Sequence, residues 1–242
     1  MKRSRHTRIP VTALMFAALT TVAALGGGTA AADEESGLSQ RFSANLYGDV
    51  TTVGNSLAEC PSTRDCPQAS AATLSIPEDA TIAHARLQWA SGLGADCRAL
   101  PAVTDPRLRV NDEAVTVAGA VTGRNTAETE LTEELGSLEP GGEVPVTVEG
   151  IRSDGCAAGW SMTVAYEVPP VESGDIAPRH VAIYSGASGP SATAVDVTGF
   201  RRSPDDQPHL NSTVYGKARL RVNDTPVATE STSHVRSADV PA

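Results

Sequence analysis

Aromatic residues are scarce in this 242-residue chain: three Phe, two Trp and four Tyr, or 4% of the whole. So thin a supply argues against a large aromatic-lined ligand groove. Lysine is rarer still. A single one, Lys217, follows residue 32, while arginine is common, which reads as coding bias rather than chemistry. No Cys-x-x-Cys occurs and no histidine pair stands near a cysteine, so the spacing of a structural zinc site is missing. No Asp-x-Asp-x-Asp-Gly loop offers the converging oxygens that calcium needs. The Gly-x-Ser-x-Gly elbow of many hydrolases is also absent; Gly186-Ala187-Ser188-Gly189 has the wrong spacing. Finally, no apolar run reaches the ~20 residues of a bilayer-spanning helix.

What is present begins with the amino terminus. Lys2, Arg3, Arg5 and Arg8 precede an apolar stretch from Val11 to Leu25, and Ala30-Ala31-Ala32 stands ahead of Asp33-Glu34-Glu35. That is the layout of a secretory signal peptide over residues 1–32, with small residues at the cleavage site. No arginine pair in this segment suggests the twin-arginine route, and no cysteine at the cleavage site would accept a lipid. Cleavage after Ala32 leaves 210 residues, in which fifteen basic residues face twenty-nine acidic ones for a net charge of −14. Such a charge favours solubility and disfavours nucleic acid and anionic membranes. The expected location is secreted, extracellular or envelope-associated, with no membrane insertion once the signal is removed.

All four cysteines, Cys60, Cys66, Cys97 and Cys156, lie in the exported part, where an even count implies disulfides. Four cysteines allow three pairings. Cys60 and Cys66 flank a short polar loop that a bridge would close. Cys97 and Cys156 then pair over a long span, for a stabilisation of about 4 kcal/mol in the chain-entropy account. Cys97 follows the Trp89 segment and Cys156 precedes the Trp160 segment, so antiparallel neighbouring strands would bring them together. A Cys60–Cys97 link would overturn that arrangement.

Alternation dominates the mature chain. Ala83, Ala85, Leu87 and Trp89 point one way, with His84, Arg86 and Gln88 on the other face. Trp160, Met162, Val164, Tyr166 and Val168 repeat the pattern, as do Val144, Val146 and Val148, and more briefly Val181 with Ile183 and Val195 with Val197. A period of two, cut by Gly, Pro, Asp and Ser, predicts half-buried antiparallel strands. One short helix is predicted in a connection, capped at Asn125 or Thr126, with Leu131 and Leu135 on one face and Gly136 ending it. The fold class is all-β, an antiparallel β-sandwich. The hexapeptide Arg107-Leu108-Arg109-Val110-Asn111-Asp112 recurs as Arg219-Leu220-Arg221-Val222-Asn223-Asp224. Asn-Asp tolerates the positive φ of a two-residue turn, so each copy predicts a β-hairpin. The expected organisation is residues 33–203 as a disulfide-stapled sandwich, 204–230 as an appended hairpin or small sub-domain, and 231–242 as a tail without order.

Several stretches in a fixed order carry a resemblance. They are Gly48-Asp49-Val50, Gly54-Asn55-Ser56-Leu57 leading to Cys60, Leu87-Gln88-Trp89, and Ala158-Gly159-Trp160-Ser161 running on to Val164 and Tyr166. In this order the segment from Phe42 to Arg201 resembles the amino-terminal β-sandwich region of secreted actinobacterial cell-surface proteins. Such regions often precede repeat domains that act as stalks or adhesins. The resemblance brings no catalytic residues with it. The export signal, the alternating strands and the absence of a coherent catalytic set lead to the expected function, a secreted non-enzymatic structural or interaction module of the cell envelope or extracellular space.

Trp89 and Trp160 alternate in phase with aliphatic neighbours, which places them in the core rather than on a sugar platform. His84, His180, His209 and His234 stand in no local motif, and only geometry would reveal a triad among distant segments. Asp205-Asp206 and Asp33-Glu34-Glu35 read as solvated charge. Lys217 reads as solvent-facing, not as half of an isopeptide crosslink, and Asn211-Ser212-Thr213 reads as a turn before a strand. No catalytic, cofactor-binding or metal-binding residue is assigned. The expected partners are an extracellular protein or glycan. A free carbohydrate- or protein-binding module is the alternative function, and an extracellular hydrolase is a more distant one.

Overall fold

The computed structural model describes residues 38–57, 69–93, 103–123, 125–138, 141–152, 157–169, 178–186, 209–214, 218–222, 225–230 and 234–239. In chain order the elements are β1 (Leu38–Leu46), β2 (Gly48–Leu57), β3 (Ala69–Ile76), β4 (Thr81–Leu93), β5 (Arg107–Val110), β6 (Glu113–Val115), β7 (Ala120–Val121) and β8 (Thr126–Glu130). There follow α1 (Thr132–Ser137), β9 (Gly142–Glu149), β10 (Ala157–Glu167), β11 (Arg179–Gly186), β12 (His209–Val214), β13 (Ala218–Val222), β14 (Thr225–Glu230) and β15 (His234–Asp239). The protein is all-β, and its described sheet ladders are antiparallel.

Two sheets enclose the main core. One has the order β2-β10-β4-β8-β7, the other β3-β9-β5-β6. Period-two alternation puts Ala85, Leu87 and Trp89 of β4 and Trp160, Met162 and Val164 of β10 on the inner face of the first. Leu74 and Ile76 of β3, Leu108 and Val110 of β5, and Val144, Val146 and Val148 of β9 answer from the second. Trp89 and Trp160 are cross-strand partners and both are buried, as their phase predicts. Each indole N–H donates a hydrogen bond, Trp89 to the Val103 carbonyl at 2.7 Å and Trp160 to Ser70 Oγ at 3.1 Å. The pairing Ala157↔Leu93 and Ala158↔Leu57 gathers the end of β2, the end of β4 and the start of β10 at one end of the sheet. The cysteines themselves lie outside the described residues.

The first sheet also carries a layer on its other face. β1 and β11 pair with each other and pack Phe42, Ala44, Leu46, Val181 and Ile183 against Val50, Ala83 and Ala165. The strands β4 and β10 are therefore covered on both sides, and the polar face of β4 is not simply a solvent face. β1 and β2 are consecutive strands in different sheets, joined at a bend at Tyr47. The Tyr47 carbonyl accepts from the Val168 N–H at 2.8 Å, and Gly48 then runs so close to β10 that a Cβ would sit 1.8 Å from the Tyr166 carbonyl oxygen. Only glycine fits that crossing.

Two irregularities aim side chains into this second interlayer space. The β4–β10 register slips between Ala165↔His84 and Tyr166↔Ile82, leaving Ala83 as a bulge. Ile82 consequently joins the main core and Ala83 the second one, contrary to the simple alternation of the sequence. The β1–β11 register slips between Gln40 and Phe42, which leaves Arg41 bulged.

Several expectations are corrected. Residues 125–131 are not helical: Thr126–Glu130 is strand β8, paired with β4, and α1 is a six-residue helix with Leu135 buried. The predicted cap Asn125 is tied to β4 instead, its side-chain amide donating to the Ser91 carbonyl and its own carbonyl accepting from the Ser91 N–H, both at 2.9 Å. Ladder bonds to an existing strand outcompete a cap whose helix is too short to nucleate alone. Asn211-Ser212-Thr213 lies inside β12, not in a turn. Within the stretch 231–242 the described residues His234–Asp239 form β15, which pairs with β12. Backbone pairing requires no apolar periodicity, so such a strand leaves little trace in the sequence. The first copy of the hexapeptide forms the predicted hairpin, with φ of 51° and 64° at Asn111 and Asp112; Arg219–Val222 of the second lies in β13, paired antiparallel with β14, and Asn223-Asp224 lies outside the described residues. Asp33-Glu34-Glu35, Val195, Val197, Asp205-Asp206 and Lys217 lie outside the described residues.

Candidate functional site

Polar side chains from four strands meet between the central sheet and the β1–β11 layer. Glu128 of β8 stands directly opposite Gln88 of β4, and Arg86 lies one pair along on the same face. Arg41 enters from the β1 bulge and Ser185 from β11. Glu128 Oε1 accepts from Arg86 Nη1 at 2.7 Å and from Arg41 Nη2 at 2.8 Å. Its Oε2 accepts from Ser185 Oγ at 2.7 Å and from Gln88 Nε2 at 3.0 Å. Arg41 Nε closes the ring by donating to Ser185 Oγ at 2.7 Å.

The carboxylate is 7% exposed, so burial pushes its pKa up. Hydrogen bonds from Ser185 and Gln88, with the charges of Arg86 and Arg41, outweigh burial and hold it below the ordinary carboxylate value. With both oxygens accepting two donors each, Glu128 has no free lone pair to act as a base or to bind a metal. It ties two layers together. His84 sits beside this cluster, its ring stacked on Phe42 with centroids 4.9 Å apart and planes 9° apart. Its Nδ1 is 3.6 Å from Glu130 Oε1, and its buried Nε2 has no hydrogen-bond partner. Burial lowers the His84 pKa, Glu130 opposes that shift and Arg86 adds to it, and the net direction is down.

A second grouping lies on the outward face of the β1–β11 pair. Asn45 is opposite His180, and Ser43 follows two residues back on the same face. His180 Nδ1 is 3.0 Å from Asn45 Oδ1, and His180 Nε2 is 3.4 Å from Ser43 Oγ. Beyond them Tyr184 donates its hydroxyl to Gln40 Oε1 at 3.1 Å.

Of the residues singled out in the sequence, Trp89 and Trp160 are in the core, while His84 and His180 lie in separate groupings on opposite faces of the outer layer. The Arg41–Arg86–Glu128–Ser185 cluster was missed. Its one local signal was the alternation Thr126-Ala127-Glu128-Thr129-Glu130, which marks a strand whose glutamates share a face. Among the described residues no group of three or more His, Cys, Asp or Glu is placed to hold a metal ion, and no helix is long and apolar enough to cross a membrane. No family model, curated protein or solved structure matches the chain.

Proposed function

We propose that this protein is a secreted, non-enzymatic β module that works at the cell envelope or in the extracellular space as a structural or interaction unit. The observation that carries the reading is the saturated Glu128 cluster. The most deeply buried charges described here lock one layer onto another, as a load-carrying or display module requires, instead of lining a reactive cleft. Burial of both tryptophans supports the same reading, because it removes the residues best suited to a sugar platform. The signal-like amino terminus, the acidic mature chain and the resemblance to actinobacterial surface sandwiches support the proposed location. A free secreted binder is the second reading, favoured by the outward hydrogen-bonding face of Gln40, Asn45, His180 and Tyr184.

Fractionation of the native host, with amino-terminal sequencing and non-reducing peptide mapping, tests the proposal. The expected result is a form beginning at or near Asp33, outside the cytoplasm, with Cys60–Cys66 and Cys97–Cys156 bridges. A main species that keeps residues 1–32, or that is cytoplasmic with free thiols, would overturn it.

A further inference from the structure

We propose that Ser43 is an activated nucleophile that accepts an acyl group from an activated ester. The inference rests on the order Ser43–His180–Asn45, which reproduces the geometry of nucleophile, base and orienter. Asn45 Oδ1 can only accept, so at 3.0 Å it fixes the proton on His180 Nδ1. That tautomer leaves the Nε2 lone pair facing Ser43 Oγ at 3.4 Å, the loose distance common before substrate tightens the contact. The strand register builds this arrangement: Asn45 is paired with His180, and Ser43 shares its face two residues away. Ser43 itself is paired with the small residue Ala182.

The step is an acyl transfer without oxidation or reduction. Ser43 Oγ attacks the carbonyl carbon and its proton moves to His180 Nε2. As the tetrahedral intermediate collapses, the bond to the leaving alkoxide or phenolate breaks, and that group takes the proton from His180. The products are a Ser43 ester and a free alcohol or phenol. A single acylation is a modification and is compatible with a non-enzymatic module, so this inference does not depend on the function proposed above.

The test treats the full secreted protein with p-nitrophenyl acetate and reads intact mass, peptide mapping and release of p-nitrophenol. Ser43 should gain one acetyl group, while the exposed Ser39 of the same strand, paired with Ser185, stays unmodified. Ser43→Ala should abolish labelling of that peptide. His180→Gln should slow it about 100-fold, the usual effect of a general base, and Asn45→Ala should slow it as well because Nδ1–H then loses the acceptor that holds it. Melting curves of the three variants confirm that each is folded. Absence of acetyl on Ser43 in the parent protein, or equal labelling in folded His180→Gln, overturns the proposal and leaves the module reading untouched. Sustained release of p-nitrophenol beyond one equivalent, lost in Ser43→Ala, supports Ser43 as the nucleophile and overturns the non-enzymatic reading instead.

Discussion

Glu128 shows how much a single side chain decides here. Replacing it with alanine leaves the Arg41 and Arg86 guanidinium groups between the layers without their counter-charge. Truncating one partner of a buried ion pair costs about 3–5 kcal/mol, and the low end applies because Arg41 keeps contact with water. The urea midpoint of purified Glu128→Ala checks this. The same site sets the acid response. The Glu128 pKa is lower folded than unfolded, so its contribution is complete above the ordinary carboxylate range and is lost as pH falls through the folded value. The His84 pKa is also lower folded than unfolded. The unfolded chain therefore takes up that proton first, and stability begins to drop as pH falls below the ordinary histidine value. Unfolding free energy should thus decline in two stages on the acid side, the His84 stage at higher pH. His84→Gln should remove the first stage and Glu128→Gln the second; an unchanged profile in both would refute the assignment. Trp160→Ala, by contrast, acts through volume. Its indole fills the main core opposite Trp89, and its loss should lower stability by about 3–5 kcal/mol with no pH signature, measurable by denaturant unfolding.

Elements in this protein are defined as much by their irregular points as by their regular runs. Gly48→Ala forces a methyl group into the Tyr166 carbonyl, so β2 must move away from β10. Overpacking of this kind costs typically about 1–3 kcal/mol, and a lowered melting temperature with weakened protection of β10 amides is the expected result. At the first hairpin the test runs the other way. Asp112→Gly should be neutral or stabilising, because glycine adopts the 64° φ of that position without strain. These features also explain which elements were legible beforehand. The strands β4, β9 and β10 and the Asn111-Asp112 turn were readable because period two and turn chemistry are local signals. Segment 125–131 was misread because its acidic residues suit a helix start as well as a strand face. The bulges at Arg41 and Ala83 were not readable, since each is fixed by its partner strand and not by its own neighbours. The Ser43–His180–Asn45 grouping was invisible for the same reason: residues 43 and 180 meet only through the β1–β11 register.

At the scale of the whole molecule the two interlayer spaces are unequal, and that inequality predicts how the protein opens. The main core is filled by Trp89, Trp160, Met162 and a long series of Leu, Ile and Val from both facing sheets. The second space has a small apolar core of Leu46, Ala165, Val181 and Ile183, supplemented by the Glu128 cluster and the His84–Phe42 stack. Apolar burial contributes roughly 25 cal/mol per Å², so the β1–β11 layer has much less hydrophobic hold on the central sheet than the β3-β9-β5-β6 sheet has. It should behave as a separate cooperative unit that detaches below the global unfolding free energy. Its attachment is charge-dependent, and acid weakens both Glu128 and His84 in their native roles. Native-state hydrogen exchange followed by mass spectrometry provides the measurement. Amides of β1 and β11 should exchange before those of β4, β9 and β10 at neutral pH, and the gap should widen on acidification. Glu128→Gln should produce a similar gap at neutral pH, because the neutral amide cannot balance two arginines. Exchange of β1 and β11 in step with β9 under all conditions would show instead that the three layers form one cooperative unit, with the polar cluster welded to the core.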